Sequence, residues 1–164
     1  MTAWTLSDRF DPAARDVADR HYNRQKPGSP QFAPPGRLLV LRAPGPCVWV
    51  TSWPFADYTQ HEWAGAWINS LFRREGGEVL ASELIREAVA ATRWKWPATP
   101  ELGMVTFVNP AAVRHKRDPG RCYLRAGFRR VGTTRTRGYV ALQLLPADMP
   151  EAAEPLGAQL AMAL

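Results

Sequence analysis

Apolar and polar positions along the chain change period several times, and each change predicts an element. Asp11-Pro12 predicts a helix start, an acid cap followed by proline at the first helical position. That helix is expected to reach about residue 24, with Ala14, Val17, Ala18 and His21 on its apolar stripe. Residues 26–36 hold four prolines and two glycines and read as a loop. Residues 37–42 and 47–51 read as strands of a hairpin that turns through Ala43-Pro-Gly-Pro46. The aromatic, irregular stretch 53–63 is expected to be a loop that covers something. Residues 66–72 read as a strand and 73–78 (Arg-Arg-Glu-Gly-Gly-Glu) as a tight basic glycine turn. A helix over 79–93 follows, in which Leu80, Leu84, Ala88 and Val89 keep a 3.6-residue period while Glu83 and Glu87 fall on the solvated side. Pro97 stops that helix. A strand over 103–108 is stopped by Asn109-Pro110, and a basic loop covers 113–118. Pro119-Gly120 opens a short helix ending at Gly127, a natural left-handed cap. Residues 128–132 and 139–145 read as a last hairpin, and from Pro146 an Ala/Pro/Glu-rich tail is expected as a loose terminal helix.

This order predicts a mixed α/β single domain over residues 1–145, with 146–164 as a tail. The 164 residues suffice for one sizeable core, and 46% hydrophobic with 10% aromatic residues argues against disorder. Seven tryptophans read first as core and cleft lining, with a stacking surface for bases or a flat cofactor as the alternative. The net charge of +6 is uneven: residues 114–137 hold nine Arg and Lys against the single acid Asp118. A solvated basic face is the plain reading; a polyanionic substrate or cofactor phosphates is the functional one. Cys47 and Cys122 form no metal knuckle or C-x-x-C pair and read as reduced thiols of a cytoplasmic protein. No signal peptide is visible and no apolar run approaches ~18 residues, so no membrane is expected.

The glycine turn feeding a helix start is the first candidate for chemistry. Amide N–H groups there lack helical partners, and the helix dipole adds partial positive charge, which together attract phosphate. His21 is either a satisfied core histidine or a base or metal ligand. His61 and Glu62 could relay protons or simply lie at the surface, and His115 belongs with the basic loop. Ser70 and Thr106 are strand residues able to face a cleft. No G-x-S-x-G turn exists, which excludes a serine hydrolase of that kind.

These blocks together resemble the GNAT acyltransferase superfamily over residues 11–145. The turn Arg73-Arg74-Glu75-Gly76-Gly77-Glu78 is similar to that family's pyrophosphate loop, keeping its first Arg and first Gly, with Glu78 in place of a final small residue. Cys122-Tyr-Leu-Arg-Ala-Gly-Phe128 resembles the family's Y-x-x-x-G-F helix end, and Asn109 its strand-end asparagine. The resemblance implies a mixed central sheet with flanking helices and a splayed, V-shaped cofactor cleft between residues 66–72 and 103–109. It implies acetyl-CoA or a related acyl-CoA, held by Ser70, Leu71, Arg73, Arg74, Gly76, Gly77, Glu78 and Val79. A strand amide near residues 69–71 would polarise the donor carbonyl. Tyr123, a phenol of ordinary pKa ~10, would act as acid toward a departing thiolate, and Asn109 would be a further catalytic residue.

Within that superfamily the His21-Tyr22 pair, the proline-rich loop and the Asn-Pro–basic-loop–Cys-Tyr element resemble the Mom-type GNAT-like proteins of bacteriophages. That resemblance implies carbamoylmethyl- or acyl-type modification of adenine in double-stranded DNA in a host cytoplasm. His21 and Tyr22 would be catalytic, with iron a candidate metal and His21 its ligand. Arg114, His115, Lys116, Arg117, Arg121, Arg135 and Arg137 would hold the DNA backbone, and the aromatic stretch 53–63 would accept a flipped base. An N-acetyltransferase acting on a small-molecule or protein amine stands beside this reading. Glu78 in the phosphate turn also motivates a non-enzymatic nucleic-acid-binding module on the same scaffold. Monomer and homodimer stay open.

Overall fold

Among the described residues the two-residue alternation builds seven strands, and the 3.6-residue period builds three helices. In chain order these are β1 (Thr5–Ser7), α1 (Pro12–Asp19), β2 (Gly36–Ala43), β3 (Cys47–Pro54), β4 (Trp67–Arg74) and α2 (Ala81–Lys95). There follow β5 (Met104–Val108), α3 (Arg121–Arg125), β6 (Arg129–Thr133), β7 (Val140–Leu144) and a 3-10 turn at Pro146–Asp148. This computed structural model describes residues 2–21, 27–29, 32, 35–55, 61–111 and 120–159. The strands form one sheet in the order β1-β2-β3-β4-β5-β7-β6. Among the described strands β4 and β5 pair in parallel and the other neighbours antiparallel, because α2 carries the chain back between β4 and β5.

Alternation sorts the strand residues onto two faces. Leu39, Leu41, Trp49, Trp67, Met104, Leu142 and Leu144 meet Leu84, Ile85, Ala88 and Val89 of α2 in the larger core. The alternate residues Val40, Val48, Val50 and Leu71 pack on Ala14, Val17 and Ala18 of α1. Ile68, Val105 and Ala141 extend that second face beneath Trp63. Trp4, Trp49 and Trp67 are fully buried, so these three tryptophans are core.

Several boundaries move for physical reasons. Asp11 caps α1 by accepting the Ala13 N–H at 3.0 Å, and Pro12 takes the first turn. The helix stops at Asp19, short of residue 24: the N–H groups of Arg20 and His21 turn back to Val17 and Ala18 carbonyls, tightening the last turn. His21 therefore stands beyond the helix, not on its apolar stripe. Helix α2 starts at Ala81 rather than 79, leaving Leu80 as an exposed cap residue with no side-chain capping bond. Glu83 is solvated, but Glu87 is half-buried and its pKa is raised, first by that burial. Trp53 lies within β3, not in a loop; its edge meets Trp67, and its Nε1 donates to the Gly65 carbonyl at 3.0 Å.

The chain after Leu144 makes the 3-10 turn and then runs extended across α2 to the sheet margin. Arg93 Nη1 holds the Pro150 carbonyl at 2.8 Å and Ala153 N–H reaches Ala90 O. Leu156 bridges Thr5 in parallel and exchanges backbone bonds with Trp4 and Leu6. Strand β1, too short to show a period, is thereby sandwiched between β2 and this segment. No helix among the described residues is long and apolar enough to cross a membrane.

Candidate cofactor cleft

Strands β4 and β5 pair only at Trp67–Met104, Ile68–Val105 and Asn69–Thr106. Beyond that point β4 continues against β3 as far as Arg74, and β5 continues against β7 to Val108. Each strand keeps its outer partner and loses its inner one, so the sheet opens into a V. Just past the apex the β3–β4 register slips: Thr51 faces Asn69 and Val50 faces Leu71, leaving Ser70 as an extra residue. Such a bulge re-aims the backbone locally. The Ser70 hydroxyl pairs with that of Ser52 at 2.7 Å, and the Leu71 side chain is buried toward α1, so Leu71 offers the cleft its backbone alone.

A polar cluster closes the apex. Asn69 Oδ1 accepts from the Tyr123 hydroxyl at 2.5 Å and from Thr106 Oγ1 at 3.2 Å. Tyr123 is buried with its ring edge toward Phe72 and Phe128. Asn109 ends β5, and its side chain takes the Ala111 N–H in a local turn.

At the open end of the V lies the glycine turn. Arg74 donates through Nη2 to the Gly77 carbonyl at 2.9 Å and through Nε to the Val79 carbonyl at 3.0 Å. In a trans peptide the N–H points opposite to its C=O, so the amides of Glu78 and Leu80 face away from Arg74. The Gly76 amide faces the Cys47 sulfur, whereas the amides of Gly77, Glu78 and Val79 donate to no group among the described residues. Gly77 has φ +106°, and a Cβ there would lie 3.1 Å from the Pro44 carbonyl; the turn rests directly on the β2–β3 hairpin. The buried thiol of Cys47 sits beneath it, its pKa raised by that burial.

Charge fixes the turn from the other side. Glu75 takes two bonds at 2.7 Å from Arg20, at the end of α1, and one at 2.7 Å from Arg73. Hydrogen bonds from these two guanidinium groups hold its pKa down to about 2. Two cations around one anion leave a net positive charge beside the unpartnered amides. Glu78 is exposed and in no ion pair among the described residues.

Of the expected site residues, Ser70, Leu71, Arg73, Arg74, Gly76, Gly77, Glu78 and Val79 thus run in order along one arm of the V and around its turn. Tyr123 meets this arm at Asn69 and Phe72. Arg20, not His21, is tied to the turn. Tyr22, Arg114, His115, Lys116 and Arg117 lie outside the described residues. Arg121, Arg135 and Arg137 are exposed, as are Arg125, Arg129 and Arg130 around α3 and the edge strand β6. None of these six is in an ion pair among the described residues. His61 accepts the Trp63 N–H through Nδ1 and lies against Phe107; burial lowers its pKa. Among the described residues no three His, Cys, Asp or Glu gather to hold a metal, so iron at His21 has no ligand set there.

The sequence reading missed Arg20, Glu75 and the Asn69 side chain. An asparagine inside an otherwise apolar strand was the available signal, since a buried polar residue needs a reason.

No family model matches the chain, and no curated protein matches its sequence. Among solved structures it is similar to the aminoglycoside acetyltransferase AAC(6')-Ib in complex with coenzyme A. The TM-score is 0.59 at 16% identity, over 89% of this chain and 95% of that one. The chain has the GNAT-like α/β fold, with the mixed sheet and V-shaped opening described above.

Proposed function

We propose that this protein is an acyl-CoA-dependent N-acyltransferase. The observation that carries the reading is the parting of β4 and β5 after Asn69 and Thr106, with the open end bordered by the unpartnered amides at residues 77–79. The residues fit coenzyme A: glycines give backbone access, and the Arg20–Glu75–Arg73 cluster leaves positive charge beside a diphosphate. When bound, an acyl-CoA supplies a thioester carbonyl open to attack by an amine. The chain's own residues position and polarise. The amides of the turn would hold phosphate, the backbone at the Ser70 bulge would polarise the carbonyl, and Tyr123 carries a proton on its Oη. The test is calorimetry with coenzyme A, followed by thiol release from acetyl-CoA with an aminoglycoside, a polyamine and a lysine peptide. Binding with amine-dependent release supports the reading; no binding sinks it.

The exposed arginines favour a second acceptor class. Arg121, Arg125, Arg129, Arg130, Arg135 and Arg137 form a basic margin on the α3 side of the fold, suited to a phosphate backbone. The acceptor would then be DNA, in the manner of Mom-type adenine modification. Trp53 and Trp63 are packed in place, so a flipped base would need other aromatics of that stretch. Co-expression with a plasmid and mass analysis of its nucleosides decides: a new adenosine mass selects DNA, and an unmodified profile from active protein selects a small-molecule or protein amine. DNA binding that does not weaken with salt would count against the second class.

A further inference from the structure

We propose that the side chain of Asn69 is a positioning residue that locks the strand bulge, the apex of the V and the Tyr123 phenol into one unit. The inference rests on the acyltransferase reading above. Asn69 is 5% exposed, and all its hydrogen-bonding positions are used. Nδ2 donates to the Val50 carbonyl at 3.1 Å and to the Leu71 carbonyl at 3.0 Å. Those carbonyls belong to the residue pair that immediately follows the extra residue Ser70. One NH2 group therefore straps the bulge between β3 and β4. Oδ1 accepts from Tyr123 of α3 and from Thr106 of β5. Thr106 also reaches the Asn69 backbone carbonyl at 3.3 Å, so β4 and β5 are pinned where their ladder ends.

The consequence is geometric. Two groups would face a thioester in this cleft: the backbone at the bulge and the phenol oxygen. One planar amide sets the separation between them. The phenol proton points at Oδ1, which leaves the remaining lone pairs of Oη directed away from Asn69. A fully satisfied buried polar cluster is rigid, whereas a partly satisfied one is costly. No apolar side chain provides these bonds, and aspartate keeps the acceptor half while losing the strap.

The test compares wild type with N69L, N69D, Y123F and the double variant N69L/Y123F; N69S replaces N69L if that variant fails to fold. Thiol release from acetyl-CoA with the amine found above gives kcat, and calorimetry gives the coenzyme A Kd. Proton NMR follows the slowly exchanging hydroxyl resonance that Y123F removes. N69L and Y123F are each expected to lower kcat about tenfold or more with Kd within about twofold, and the double variant to fall no further than either alone. The hydroxyl resonance should vanish in N69L and persist in N69D. Losses that multiply in the double variant, an effect on Kd alone, or a resonance that survives N69L would overturn the proposal. A wild type that binds no coenzyme A sinks the transferase reading instead, and the resonance still decides the Asn69 contact.

Discussion

Glu75 shows how one side chain can hold a backbone turn in place. It sits between Arg20 and Arg73, and its carboxylate pKa is depressed from 4.5 to about 2. A depressed carboxylate lends stability above its unfolded pKa and loses it as pH falls through the folded value. The melting-temperature difference between wild type and E75Q should therefore be constant from pH 7 to about 5 and shrink below about 4.5 toward 2. The difference should be small, because the group lies at the surface. Thermal unfolding at pH 7, 5 and 3 measures it, and a gap unchanged down to the acid limit would refute the ion-cluster account. Gly76 and Gly77 were legible from the sequence because glycine before a helix has few explanations. Arg20 was not, because its partner is fifty-five residues away.

At the scale of elements, the glycine turn is a platform built on another turn. Gly77 lies at φ +106° with the Pro44 carbonyl beneath it. G77A places a Cβ in a left-handed conformation, at a cost of about 1–2 kcal/mol, and pushes against that carbonyl. The expected outcome is a lower melting temperature and coenzyme A affinity weakened by roughly tenfold, the equivalent of about 1.4 kcal/mol. Calorimetry on folded G77A checks it; wild-type affinity would show that the amides need no fixed platform. The neighbouring strands were readable from alternation, since a half-buried pleat leaves that mark. The bulge was not, because one extra residue changes register without changing composition.

Across the whole molecule, the segment after Leu144 acts as a strap. It ties α2 to the β1 margin through Pro150, Ala153 and Leu156, and buries Met149 and Ala158. A chain ending at residue 145 loses these bonds, each contributing about 0.5–1.5 kcal/mol, together with the apolar contacts. It should melt several degrees lower, and amide exchange of β1 should accelerate. Equal melting temperatures for the two chains would mean that the segment is not part of the fold.

The sequence by itself determined most of the segments that become strands and helices, β1 and the extended stretch after Asp148 excepted, and it marked the glycine turn, because period, proline and glycine act within a few residues. Tertiary structure alone decided that β4 and β5 part after Asn69, that Asn69 meets Tyr123 and Thr106, and that Arg20 reaches Glu75. These are contacts between segments far apart in the chain. Their geometry follows from how the faces of the sheet pack, which no local pattern records.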